Sequence, residues 1–295
     1  MIPLPKIDKP EEKQKKEKQE KAKQKEHSIV IPGPNAQDTP DKLFKLTDKW
    51  LREGKRYFGK PGISLANQLV DPKFRDLKIN AKVVGLGIQG EKRTSKILRE
   101  WMYDKPDVVL LDSISLPFKE KLEEQQEEDG TVDLGDTDHA LIIGSTIFII
   151  DSKNWKTKST YRVDESGVIL RGTKKFTGSN VRINQCRYLW LNFLSNYDID
   201  DIECYICVPA SEEEKDENGE IIKRPIIVRD KNWWRSGFKA LNQYDFVRFL
   251  DRAYEDIPDK GYIRTDLVAK LFTGLVQEYE PIKEKFPYIY DVLKM

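Results

Sequence analysis

The segment that most constrains this chain is a pair of apolar runs, residues 140–143 and 147–150, separated only by Gly144 and Ser145. Residues 138–143 and 147–153 read as two strands, and a Gly-first two-residue loop suits a type II′ hairpin. With that loop Ile143 faces Thr146, so paired positions sum to 289 and Asp138 lies across from Asp151. Directly opposed side chains in an antiparallel pair have Cβ atoms about 4.5–5.5 Å apart. Lys153 follows Asp151 by two residues and emerges on the same face, with Asp136 across from it as an auxiliary ligand or ion-pair partner. A three-residue loop would break this register.

Two facing carboxylates beside a lysine have a plain alternative, a polar strand end with a surface ion pair. Opposed acids without a cation repel, which counts against it. Acids of this kind can hold Mg²⁺ or Mn²⁺, which activates a water and stabilises a leaving oxygen in phosphodiester hydrolysis. A neighbouring lysine orients the water or offsets charge on the phosphorus. The triplet Asp-x-Lys alone is weak, since Asp71-Pro-Lys73 and Asp76-Leu-Lys78 also occur. Asp151-Ser-Lys153 differs by standing at the end of Ile147-Phe-Ile-Ile150.

Around the hairpin the pattern is α/β. A short helix is expected over residues 41–57, an amphipathic helix over 88–102 and a strand over 108–114. Shorter strands are expected over 160–163 and 167–171, a helix over 184–197, and strands over 204–208 and 226–228. Helices near 243–254 and 264–279 close the chain. That order argues for a central mixed sheet flanked by helices. Residues 1–27 hold nine Lys against six acids and no apolar stripe, which predicts a solvated, disordered tail. Residues 28–82 read as an N-terminal helical extension or linker and 257–295 as a C-terminal helical segment. No run is long enough for a bilayer helix of about 20 residues. Three cysteines make no disulfide framework, which points to a cytoplasmic protein. Cys204 and Cys207, at an odd spacing on a strand, face opposite ways as core thiols.

Three motifs in order carry a resemblance: Gly90-Glu91 opening a helix, Asp138-His139 before an apolar strand, and Phe-Ile-Ile-Asp-Ser-Lys-Asn-Trp. Together, over residues 83–256, they resemble the nuclease-related domain (NERD), which is similar to the PD-(D/E)xK nucleases. The resemblance implies a restriction-endonuclease-like core with N- and C-terminal helical extensions. It also implies metal ligation by Glu91, Asp138 and Asp151, with Lys153 assisting attack. Gln185 is the counterpart of a Gln on a following helix, although Val181 stands where Pro is usual; Asp at 151 is unusual for NERD but fits the wider superfamily. Without the resemblance, Glu91 reads as an exposed acid favoured by the dipole of a helix's first turn. His139 reads as a packed or supporting histidine.

The implied activity is a metal-dependent nuclease, with DNA as the expected substrate. The alternative is a non-catalytic nucleic-acid-binding or scaffold protein within a larger complex. The chain's net charge of +1 steers nothing, so attraction must be local. Residues 153–187 carry nine basic side chains and two acids, and Lys156, Lys158, Lys174, Lys175, Arg182 and Arg187 are candidate phosphate contacts. Trp155, Tyr161 and Phe176 are interleaved there as bases' stacking partners or as packing residues. Residues 120–138 hold nine acids against one Lys and would repel DNA, so 120–129 is expected to be an exposed insertion. That stretch, a second acidic loop over 212–220 and the tail are candidate protein-partner surfaces. Trp233-Trp234 reads as core packing.

Overall fold

The computed structural model describes residues 39–70, 79–116, 136–154, 161–163, 169–171, 173–175, 183–209, 211–215, 221–225, 228–229, 239–276 and 281–294. The lysine-rich tail, the acidic stretch 120–129 and Trp233-Trp234 lie outside them. In chain order the main elements are Pro40–Arg52 (α1), Tyr57–Gly59 (β1), Ile63–Asn67 (α2), Ala81–Trp101 (α3), Val108–Ser115 (β2), Asp136–Ile143 (β3) and Thr146–Ser152 (β4). Three short strands follow, Tyr161–Val163 (β5), Ile169–Arg171 (β6) and Lys174–Lys175 (β7). Then come Ile183–Phe193 (α4), Asp201–Val208 (β8), Ser211–Lys215 (β9), Ile221–Pro225 (β10), Val228–Arg229 (β11) and Lys239–Asn242 (β12). Gln243–Asp256 (α5), Thr265–Phe272 (α6), Pro281–Lys285 (α7) and Pro287–Lys294 (α8) complete the described elements.

A mixed six-stranded sheet, in the order β1-β2-β3-β4-β8-β12, lies between helices. Only the β2–β3 and β3–β4 pairs are antiparallel. Strands buried on both faces need continuous apolar runs, and β2, β3 and β4 provide them over residues 108–111, 140–143 and 147–150. Val109, Leu111, Ala140, Ile142, Ile147 and Ile149 meet α1, α4 and α6 on one face. Leu110, Leu141, Ile143, Phe148 and Ile150 meet α3 and α5 on the other. Cys204 joins the first core and Cys207 the second, as their odd spacing requires; neither is in a disulfide, and burial pushes both thiols up to about 12. A third core gathers α2, the N-terminal half of α3, and α7 with α8.

Several expectations are corrected. The helix expected from Ile88 begins at Ala81, capped by the Asn80 side chain on the Lys82 N–H, so Glu91 stands mid-helix rather than in a first turn. Glu91 is also buried, not exposed. The acidic stretch 212–220 is not simply a loop: β9 and β10 pair, and their register sets Glu212 and Glu213 opposite Arg224 and Lys223. The helix expected over 264–279 spans Thr265–Phe272 and stops where Gly274 packs on β2, with no room for a Cβ beside Ile114. The Ser115 N–H bonds the Gly274 carbonyl at 2.7 Å there, and Leu275 bridges to Ile114. Tyr57–Gly59, from the segment read as an N-terminal extension, is the sheet's edge strand.

Candidate active site at the open end of the hairpin

The β3–β4 register pairs Ile143 with Thr146 and His139 with Ile150, the arithmetic of a two-residue turn. Gly144 has φ 54° and Ser145 has no positive φ, the pattern of a type II′ turn. Pairing ends one residue short of Asp138 and Asp151, at the opposite end of the hairpin from the turn.

Here β2 and β3 depart from simple alternation. Ser113 takes φ 53°, a left-handed conformation costly for a residue with a Cβ. Its Oγ donates to the Lys60 carbonyl at 2.8 Å, and its own carbonyl accepts from Val276 N at 3.0 Å. In consequence Ile114 and Leu116 fall in the same core as Val109 and Leu111, a slip of one position. The β2–β3 pairs run Asp112–His139 and then Ile114–Thr137, leaving Asp138 without a paired residue on β2. The Asp138 carboxylate instead accepts the Ser152 N–H at 2.6 Å, across the hairpin.

Lys153 donates to Asp151 Oδ1 at 2.8 Å, both half-buried. Its neighbour Asn154 donates to the Leu86 carbonyl of α3 at 3.0 Å and sits against Gly90, where a Cβ would come within 3.2 Å of Asn154 Cβ. The missing side chain at 90 lets α3 close on the end of β4, which carries Glu91 inward. Glu91, 1% exposed, accepts the Gly62 N–H at 2.7 Å.

The electrostatics of this end are strained. Burial pushes Glu91 well above the usual carboxylate range; Asp138, then Asp112 and Asp151, add to it while the Gly62 N–H opposes. Asp138 is pushed up to about 7, first by burial and then by Asp151, against the pull of Lys153, His139 and the Ser152 N–H. Burial works against the Lys153 ammonium too, but Asp151, Asp138 and Glu91 outweigh it and hold its pKa above the ordinary value. Among the described residues three acids thus share one lysine.

A buried hydrogen-bond chain that the sequence reading missed lies behind them. Ser95 of α3 donates to Asp112 Oδ2 at 2.6 Å, Asp112 Oδ1 meets His139 Nδ1 at 2.6 Å, and His139 Nε2 meets Ser152 Oγ at 2.8 Å. All four residues are buried. With Nδ1 held by the Asp112 carboxyl, the ring turns Nε2 to Ser152. Ser152 in turn presents its N–H to Asp138, so the chain fixes the residue between Asp151 and Lys153. The available signal was Asp112-Ser113 interrupting an otherwise apolar strand.

The remaining candidates are placed unevenly. Asp136 accepts from Ser64 Oγ of α2. Gln185 falls in the first turn of α4, its side chain outside the described residues. Lys156, Lys158, Arg182, Trp155 and Phe176 lie outside them entirely, and of Lys174, Lys175 and Tyr161 only the backbone, in β7 and β5, is described. Arg187 is exposed and meets Asp201 at 3.3 Å.

With this geometry in hand, comparison with protein families is informative: residues 86–209 match the sequence model of the family described as nuclease-related domain, NERD. Over that stretch the chain is similar to a nuclease-related domain. The match takes in Glu91, Asp138, Asp151 and Lys153, and the run α3-β2-β3-β4-α4-β8. Curated proteins and solved structures yield no match. Among the described residues no helix is long and apolar enough to cross a membrane.

A divalent metal is what a NERD site implies, and the donor chemistry here suits one: hard oxygen ligands, buried and mutually repelling, with too few cations among them. Among the described residues no three His, Cys, Asp or Glu side chains converge as a ready-made cage. Mg²⁺ does not need one, since it is commonly held by one or two carboxylates with waters and substrate phosphate oxygens.

Proposed function

We propose that the NERD domain is a metal-dependent nuclease that hydrolyses phosphodiester bonds, with DNA as its substrate. The observation that carries this reading is the charge imbalance at the hairpin end, where among the described residues Glu91, Asp138 and Asp151 are set against Lys153. Buried like charges cost stability, so an arrangement that keeps them points to a bound cation and to use.

In this reading Asp138 and Asp151, with Glu91 behind them, hold Mg²⁺ or Mn²⁺. The ion supplies an activated water and charge stabilisation at the leaving oxygen. Asp151 holds the Lys153 ammonium at 2.8 Å, and that ammonium would offset negative charge developing on an attacked phosphate. The Ser152 N–H orients the Asp138 carboxylate, and the Asp112–His139–Ser152 chain keeps that N–H in place. The Gly62 N–H does the same for Glu91.

The test is cleavage of linear, circular and single-stranded DNA and of RNA with Mg²⁺ or Mn²⁺, beside Asp151→Ala and Lys153→Ala. Removing one such electrostatic group should lower the rate about 10²–10³-fold. Cleavage that persists in both variants overturns the site. Failure of the unaltered protein to cut any substrate favours the non-catalytic nucleic-acid-binding reading.

A further inference from the structure

The surface around Tyr290 gathers cations. Lys60, from the loop after β1, places its ammonium 6.0 Å from the ring centroid. Lys283 of α7 lies at 5.9 Å and Lys294 of α8 at 4.4 Å. Lys92, next to Glu91 on α3, reaches the same corner and donates to the Val292 and Leu293 carbonyls at 2.7 and 3.1 Å. Burial, then Lys60 and Arg99, lowers its pKa. Among the described residues neither Lys283 nor Lys294 pairs with a carboxylate; Glu284 and Asp291, on the same two helices, leave them alone.

Lysines on a surface usually spread apart, because their charges repel and their stems are flexible. Here Lys60, remote in sequence, joins Lys283 and Lys294 of the C-terminal helices on one aromatic ring. Cation–π attraction gathers the ammoniums and removes rotamer freedom that a ligand would otherwise have to quench. Their mutual repulsion is relieved by an anion with several oxygens spaced along it. The cluster also stands beside the site. Gly62, two residues after Lys60, holds Glu91, and the Lys60 carbonyl holds Ser113. The strand β1 is two strands from β3, about 10 Å across the sheet at the usual spacing.

We propose that Lys60, Lys283 and Lys294, gathered on Tyr290, form a phosphate-binding shelf for the nucleic-acid strand running to the hairpin site. The shelf rests on the nuclease reading for its ligand. It lies outside the basic stretch 153–187, and it reads phosphates without regard to sequence.

The experiment measures binding of a labelled DNA strand and its duplex to the full chain across a salt series, without divalent cations so that nothing is cut. The triple variant Lys60→Gln, Lys283→Gln, Lys294→Gln should lose about tenfold or more in affinity at low salt, with the slope of log affinity against log salt about 2 shallower. The matching triple arginine variant should retain the slope, and melting curves check that both variants fold. An unchanged slope in the glutamine variant overturns the shelf. So does a loss seen with a polyglutamate peptide and not with DNA, which assigns the cluster to an acidic protein partner. A chain that binds as expected yet cuts nothing keeps the shelf and loses the nuclease reading; one that cuts with an unchanged slope does the reverse.

Discussion

The two ends of the β3–β4 hairpin are built from the same strands and treated in opposite ways. At the turn, Asp259 Oδ2 accepts the Ser145 N–H at 2.7 Å, and Arg264 donates to Ser145 Oγ at 3.0 Å. Arg264 also pairs with Asp266 at 2.8 Å, which holds that carboxyl below its ordinary range. At the open end burial pushes Asp138 up to about 7 and holds Glu91 well above the usual carboxylate range. The turn pairs its arginine with Asp266 and ties one Asp259 oxygen to the Ser145 N–H, although Asp259 Oδ1 is buried there without a hydrogen-bond partner among the described residues; the open end sets several acids against Lys153. A hairpin stabilised only for folding would treat both ends like the turn, so the conflict marks where the molecule does chemistry.

The comparison can be broken from either side. The largest effect is expected behind the open end: His139→Ala leaves Asp112 and Ser152 buried without their shared partner and should cost about 3–5 kcal/mol in urea unfolding. A loss under 1 kcal/mol, on that order, would show that the chain holds nothing in place. At the turn, Gly144→Ala meets Asp259 Oδ1 at 2.0 Å and needs φ 54°. It should cost about 2 kcal/mol and leave catalysis per folded molecule unchanged. A loss of turnover at full folding would tie the two ends together. The smallest effect belongs to Asp266→Ala, whose ion pair is partly in water and is worth about 0.2–1 kcal/mol, readable as a small fall in the thermal midpoint.

How far the sequence reaches is clear from the same elements. The hairpin register was legible because strand side chains alternate with period two and a two-residue loop leaves one pairing. The first turns of helix α3 are not legible in sequence, since Gly85 and Gly87 lower helix propensity and nothing local shows why they are tolerated. Their reason is spatial: a Cβ at Gly87 would meet Leu65 at 2.7 Å, and one at Gly85 would meet Tyr288 at 3.3 Å. The left-handed Ser113 is held by Lys60 and Val276, partners remote in sequence, so the slip that frees Asp138 from its pairing was invisible. Glu91 could be named from the motif, but its burial follows from Asn154 closing on Gly90.

The central claim, that the open end conserves a charge conflict for a cation to resolve, is tested most directly by melting the unaltered protein beside Asp138→Asn, with and without Mn²⁺, from pH 5 to 8. Asp138 ionises near 7 when folded and near its ordinary 3.8 when unfolded, so the folded state binds the proton more tightly. Its stabilising protonation is fully present below about pH 4 and lost as pH rises through 7. Without metal, Asp138→Asn should therefore gain on the unaltered protein as pH rises, by on the order of 1–4 kcal/mol at pH 8. Mn²⁺ should raise the midpoint of the unaltered protein at pH 8, more weakly at pH 5 where the carboxylate must first lose a proton, and should leave Asp138→Asn nearly unmoved. Parallel curves for the two proteins, with equal responses to Mn²⁺, would contradict the account.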